Sequence, residues 1–293
     1  MTETPPTAPT PLVSLAPVGP GLFGKLEYVH PTRSAKFRAL VPYLRQAARA
    51  GDLVGVERVA IRSAGSAAVT VAWACRELGL TAEAVIPEQV DDPQLMGALG
   101  ALGVVVHRLA ADAAASLMQQ LTADPSVHVL DQFHDPRVVG YYRPLAAEIL
   151  DQRPDVVAIV AGIGTGATIM GLADELRARN SNCRVIGVWP AEFDPTWRRP
   201  YRAHGISGLA PPVRETHLRP ESIDSIVQVP SAAAARRARQ VFRELGLPGG
   251  TSSGATVEAA LELRRSGLEG TLVCLFASAC NSASPDQPGT HAR

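Results

Sequence analysis

Apolar segments of strand length alternate with segments of helical period along most of this chain, and that alternation constrains its fold more than any other feature. Arg58–Ile61, Glu83–Ile86, Val104–Arg108, Val127–Leu130, Val156–Val160, Arg184–Val188, Ile223–Val229 and Leu272–Phe276 read as strands. Helices are expected over Pro93–Leu102, Arg137–Leu150, Ala232–Leu245 and Gly254–Arg265, among others. An earlier strand at Lys25–Val29 and a helix from about Ser34 to Ala50, kinked by Pro42, precede them. Strands alternating with helices give an α/β fold whose parallel sheets are covered by helices on both faces. The irregular stretch Pro190–Glu221 is too long for a plain connection and is expected to cover a site.

Composition excludes several classes. The formal net charge is zero and no basic block occurs, which argues against nucleic acid and anionic membranes as partners. Hydrophobic residues make up 46% and charged residues 19%, enough for a sizeable core, yet no apolar run is long enough to span a bilayer. Residues 1–20, rich in Pro and Thr, lack the basic start and apolar run of a signal peptide and read as a disordered lead-in. Cys75, Cys183, Cys274 and Cys280 are scattered without a Cys-x-x-Cys pair, so free thiols and no metal site are expected, in a cytoplasmic protein.

Ligands of such folds bind where strands end and helices begin. Small or hydroxyl-bearing clusters occupy four such places: Ser34–Lys36, Ser63–Ala67, Gly162–Thr168 and Gly250–Gly254. Each alone is also explained as a turn or a helix cap. Gly162–Thr168 brings backbone N–H groups and a helix dipole to one point, where a phosphate is the natural guest. It also fits the looser dinucleotide fingerprint, but the acidic residue that fingerprint expects is late, at Glu192. Lys36 is one of two lysines, the other being Lys25, in a chain with 28 Lys and Arg. Arginine supplies charge; only lysine supplies an amine that burial can turn into a nucleophile.

In order and spacing these clusters resemble the fold-type II pyridoxal-phosphate enzymes, and among them the cysteine synthase and cystathionine β-synthase group. The resemblance runs from Thr10-Pro11-Leu12-Val13 to about Phe276. It implies a tryptophan synthase β-subunit-like architecture, with a smaller α/β domain over 21–143 and a larger one over 144–293 whose sheet takes in an early strand around 24–29. It implies pyridoxal 5'-phosphate as cofactor, held covalently by Lys36. Gly164, Thr165, Gly166, Ala167 and Thr168 resemble the phosphate loop, Ser252 the serine at the pyridine nitrogen, and Ser66 the residue at the ring hydroxyl. Ser63, Ala64, Gly65 and Ala67, with Gln132 and Gly205, fall where the family meets its substrate.

The sequence departs from the family at the substrate loop. Ser66 replaces an asparagine, Ala64 and Ala67 replace hydroxyl residues, and Phe37 replaces an acidic residue after the lysine. The resemblance implies a homodimeric enzyme that replaces the β substituent of an O-activated L-serine, acetyl or phosphoryl, through an aminoacrylate. Sulfide, another thiol or an amine enters, the last as in the branch that makes diaminopropionate precursors. Alternatives are a degenerate cofactor-binding relative serving as partner or regulator, a lyase or dehydratase on another amino acid, and a nicotinamide oxidoreductase.

Overall fold

The computed structural model describes residues 9–279 apart from 200, 212 and 215. Its contacts divide them into two units, one of residues 31–141 and one of residues 9–30 with 142–279. Residues 1–8 and Cys280 lie outside the described residues.

The first unit holds a four-stranded parallel sheet in the order β5-β4-β3-β6, from β3 (Arg58–Arg62), β4 (Thr81–Pro87), β5 (Val105–Leu109) and β6 (Val127–Val129). Helices α1 (Phe37–Ala50), α2 (Ser66–Leu78), α3 (Pro93–Ala101), α4 (Ala111–Ala123) and the single turn α5 (Arg137–Gly140) belong to it. Ala60 and Val85 of the sheet pack with Ala114 and Leu121 of α4. Asp92 caps α3 by accepting from the N–H groups of Gln94 and Leu95.

The second unit holds a six-stranded sheet in the order β1-β2-β10-β7-β8-β9. Its strands are β1 (Leu12–Ser14), β2 (Leu22–Leu26), β7 (Val156–Gly162), β8 (Arg184–Pro190), β9 (Ser225–Val229) and β10 (Thr271–Phe276). All pairs are parallel except the edge pair β1–β2. Strand β10 is buried along its whole length, as the continuously apolar Leu272–Phe276 requires. Helices α6 (Arg143–Gln152), α7 (Ala167–Ala178), α8 (Ser231–Leu245) and α9 (Thr251–Arg265) complete the unit. A side chain at Gly254 would meet the backbone oxygen of Ala234 at 2.0 Å, so only glycine lets α9 lie this close to α8.

Several expected boundaries move. Leu12–Ser14, within the stretch read as a disordered lead-in, is a strand, and Leu15 beside it is fully buried. The strand expected at Lys25–Val29 runs instead over Leu22–Leu26, and Glu27–Val29 forms a 3-10 turn. Lys25 is therefore near the strand's end, not at its start. The helix expected over Arg137–Leu150 is two helices, because Pro144 lies in the first turn of the second, where its missing N–H costs nothing. Helix α1 begins at Phe37 and leaves Lys36 at its N-cap position.

Lys25 is fully buried. Its ammonium donates to the Thr10 carbonyl at 2.7 Å and to Gln152 Oε1 at 2.7 Å, and pairs with Glu148 of α6. Thr10 in turn donates its hydroxyl to the buried Glu27 at 2.7 Å and its N–H to Glu148 at 2.6 Å. A buried charge is tolerable only when paired and hydrogen-bonded in this way. The cluster ties residues 9–30 to α6.

Candidate active site

In the first unit the structure joins three of the expected segments. Lys36 sits at the entrance of α1, and the Ser34 hydroxyl accepts its backbone N–H at 3.2 Å. The same hydroxyl donates to Ser66 Oγ at 3.0 Å, which ties the lysine turn to the first residue of α2. Thr70, one turn along α2, donates to the Thr32 hydroxyl at 3.0 Å. Arg33 holds a left-handed φ of 54° three residues before Lys36, a conformation that a non-glycine residue adopts at a cost. Lys36 is half-buried, and burial lowers its ammonium from 10.5 to about 8.

The turn Ser63–Ala67 leads from β3 into α2, where no side chain caps the helix. Ser63 is buried and accepts the Gly65 N–H at 3.3 Å, while Ala64 is exposed and Ala67 is buried inside the helix. Gln132, also buried, donates its amide to the Arg62 carbonyl at 3.0 Å. It thereby lies beside the same turn.

In the second unit the glycine loop Gly162–Thr168 links β7 to α7, whose N-cap, Gly166, has a left-handed φ of 81° and offers no side-chain cap. The long stretch after β8 packs on this loop within the unit. Ala210 donates to the Ile163 carbonyl at 2.8 Å and His217 to the Thr165 carbonyl at 3.0 Å. A side chain at Gly164 would meet the Gly208 oxygen at 2.4 Å, and one at Gly166 would meet the Leu218 nitrogen at 2.6 Å. Glycine is thus required at both positions by close backbone approach, and the Thr165 hydroxyl accepts the Ala167 N–H at 3.4 Å at the entrance of α7.

Gly205 donates to Ser231 Oγ at 2.9 Å and Ser207 to Thr251 Oγ1 at 3.2 Å, so this second glycine segment is pinned to the starts of α8 and α9. Thr251-Ser252-Ser253-Gly254 forms the first turn of α9 and does not precede it as a cap. Ser252 is buried there, and the neighbouring Ser253 hydroxyl is buried without a hydrogen-bond partner. Glu192, the residue a dinucleotide reading would need, accepts the Ser231 N–H at 2.9 Å and caps α8. One oxygen of that carboxylate thus serves the start of α8.

Residues 3–278 match the family described as pyridoxal-phosphate dependent enzyme. The chain belongs to that family. Cysteine synthase 3 of Caenorhabditis elegans is 29% identical over 265 residues, covering 87% of this chain and 79% of that protein. Cysteine synthase B of Campylobacter jejuni is 27% identical over 262 residues, covering 87% of each. Among solved structures, cysteine synthase of Entamoeba histolytica superposes with a TM-score of 0.85 at 24% identity, over 94% of this chain and 86% of that one. The chain thus has the cysteine synthase fold, that of the fold-type II members of the family.

The family's cofactor, pyridoxal 5'-phosphate, fits the residues present. Its phosphate needs clustered backbone N–H donors at a helix start, which the Gly164–Thr168 loop supplies, with glycine at 164 and 166 and a hydroxyl at Thr165 and Thr168. Its aldehyde needs an amine that can shed a proton near neutral pH, which Lys36 has. Among the described residues no group of His, Cys, Asp and Glu could hold a metal ion, and no helix is long and apolar enough to cross a membrane.

Gly166→Asp is expected to weaken cofactor retention at least tenfold, and far more than Ser252→Ala. The left-handed φ alone costs about 1–2 kcal/mol for a side chain, the backbone of Leu218 stands in its way, and the carboxylate opposes the phosphate. Equilibrium titration of the cofactor by absorbance measures this; equal affinity for Gly166→Asp and the parent would place the phosphate elsewhere.

The sequence pattern missed the two hydroxyls that hold the site's segments in place. Ser34 reads as a helix cap in the sequence, yet its partner is Ser66 in a helix distant along the chain. Thr251 reads as a cap as well, and instead fixes Ser207.

Proposed function

We propose that this protein replaces the β substituent of an O-activated L-serine, O-acetylserine or O-phosphoserine, by a thiol, sulfide or amine. The Cβ–O bond breaks, a Cβ–S or Cβ–N bond forms, and the nucleophile's proton leaves with the acetate or phosphate released. The observation that carries this reading is Lys36, whose burial-lowered amine stands at the start of α1, held to Ser66 through Ser34.

Pyridoxal phosphate, when bound, withdraws electrons from the substrate's α-carbon. In this reading Lys36 would hold the cofactor and would serve, as a neutral amine, as the base that takes the proton from Cα. Gly164, Thr165, Gly166, Ala167 and Thr168 hold the phosphate. Ser252 would hold the ring nitrogen as a neutral hydroxyl and would supply it no fixed counter-charge. Ser66 meets the ring hydroxyl. Ser63, Ala64, Gly65 and Ala67 bring the open N-terminus of α2 to the substrate carboxylate, with Gln132 beside them and Gly205 facing the substrate. The protein acts as a homodimer in the cytoplasm. Burial of Cys75, Cys183 and Cys274 as free thiols supports a reducing compartment.

The test is release of acetate or phosphate from the two donors, dependent on added thiol. Release from neither, by protein that holds the cofactor, would point to the non-catalytic alternative. The exposed Ala64 also offers a gain-of-function check. Ala64→Ser should tighten O-acetylserine binding about tenfold, since a hydrogen bond to a charged group contributes about 1.5–3 kcal/mol. Unchanged affinity would mean that the carboxylate is held by other groups.

A further inference from the structure

A cavity of about 380 Å³ opens in the first unit at the carboxyl ends of β3 and β6, bordered by Arg62, Gln132 and Phe133. We propose that it receives the carboxylate of the entering nucleophile, and that Arg62 selects for it. This rests on the β-replacement reading, and it narrows the nucleophile from sulfide to a carboxylate-bearing thiol or amine with a short apolar chain.

Three observations carry the proposal. The first is charge. Arg62 is exposed and, among the described residues, forms no ion pair. Asp131, the acidic residue on the same wall, is already engaged: it pairs with His134 Nδ1 at 2.7 Å and accepts the N–H groups of Phe133 and His134. The Asp131 oxygens are thus taken up within their own turn, while among the described residues the Arg62 guanidinium has no carboxylate partner, and its planar donors match a carboxylate in pairs.

The second is orientation. The Arg62 guanidinium lies 5.5 Å from the centre of the Phe133 ring, and the Arg62 carbonyl accepts from Gln132. Stacking and backbone anchoring hold the arginine at the rim, so little freedom is lost when an anion binds. The third is size and lining. The cavity is far larger than a hydrosulfide ion requires, and Met118, Val129, Leu130 and Phe133 offer apolar walls to a carbon chain. Gln132, which borders it, is among the residues assigned to the first substrate, and the cavity opens at the strand ends where ligands of such sheets bind.

The experiment uses the cofactor-loaded full chain with O-acetylserine or O-phosphoserine as donor. It compares 3-mercaptopropionate with 2-mercaptoethanol, thiols of similar length with and without a carboxylate. The parent protein should favour 3-mercaptopropionate at least tenfold in kcat/KM. Arg62→Ala should bring the ratio near one, and Arg62→Lys should keep part of it. A ratio near one in the parent, or an unchanged ratio in Arg62→Ala, overturns the proposal. Butyrate, which cannot react, should compete with the thiol; inhibition that does not compete with the thiol would make the cavity an effector site and overturn the assignment to the nucleophile. Turnover of neither thiol, nor of β-alanine as the amine, means that the β-replacement reading has failed, and calorimetric titration with butyrate then judges the cavity by itself. Binding lost in Arg62→Ala retains the carboxylate site, and equal binding or none in both proteins removes it.

Discussion

Lys36→Ala and Lys36→Arg should both abolish covalent attachment of the cofactor and lower turnover by at least about 10³-fold. Two functions are lost together, the nucleophilic amine and the base at Cα, and a general base alone contributes about 10²–10⁴-fold. Arginine keeps the positive charge but stays protonated, so it rescues neither function. An ordinary solvated lysine would tolerate arginine without loss, which makes the Lys36→Arg variant the discriminating one. Borohydride reduction followed by peptide mass mapping locates the attachment directly; a pyridoxyl mass on the Lys25 peptide, or on none, would contradict the assignment. Burial sets the pH dependence as well. With the ammonium lowered to about 8, the neutral amine becomes the majority form above that pH. The rate at which cofactor-free protein takes up pyridoxal phosphate should climb about tenfold per pH unit below 8 and level off above it.

The second lysine should fail in a different way. Lys25→Met takes the ammonium away from the Glu148 carboxylate, and removal of one partner of a buried pair costs about 3–5 kcal/mol. Urea unfolding should show that loss as a lower midpoint, while folded Lys25→Met still takes up cofactor on Lys36. Adding Glu148→Gln should recover part of the stability, because the carboxylate charge that faced the ammonium disappears with it. A midpoint unchanged in Lys25→Met would mean that the Thr10, Gln152 and Glu148 contacts contribute nothing net.

The two lysines show what could and could not be read from the chain. Scarcity of lysine marks both residues equally; a place at a helix entrance favours Lys36, and nothing local distinguishes Lys25 from a surface residue. Its partners come from Thr10 and from α6, more than a hundred positions away, and pairing over such distances leaves no periodicity to find. The strand and helix alternation was legible because a period of two and a period of 3.6 differ over a few residues. The break at Gly140–Pro144 was lost because apolar spacing continues across it. The glycine loop was legible through its spacing, but the reason for its glycines is the backbone of residues 208 and 217–218, which only the fold brings there. Arg62 carried no signal beyond a charged residue ending an apolar strand.

The order of strands in the six-stranded sheet bears on how the chain is made. Strand β2 is made long before its parallel neighbour β10, the last strand among the described residues. Residues 31–141 are contiguous and can collapse around their own sheet while the ribosome is still at work. Residues 12–26, with the buried ammonium of Lys25 among them, have no finished sheet to join until residues 271–276 have left the exit tunnel. Until then an apolar strand edge waits exposed on the nascent protein, and closing that longest loop is the step most open to capture by a chaperone or by another unfinished chain.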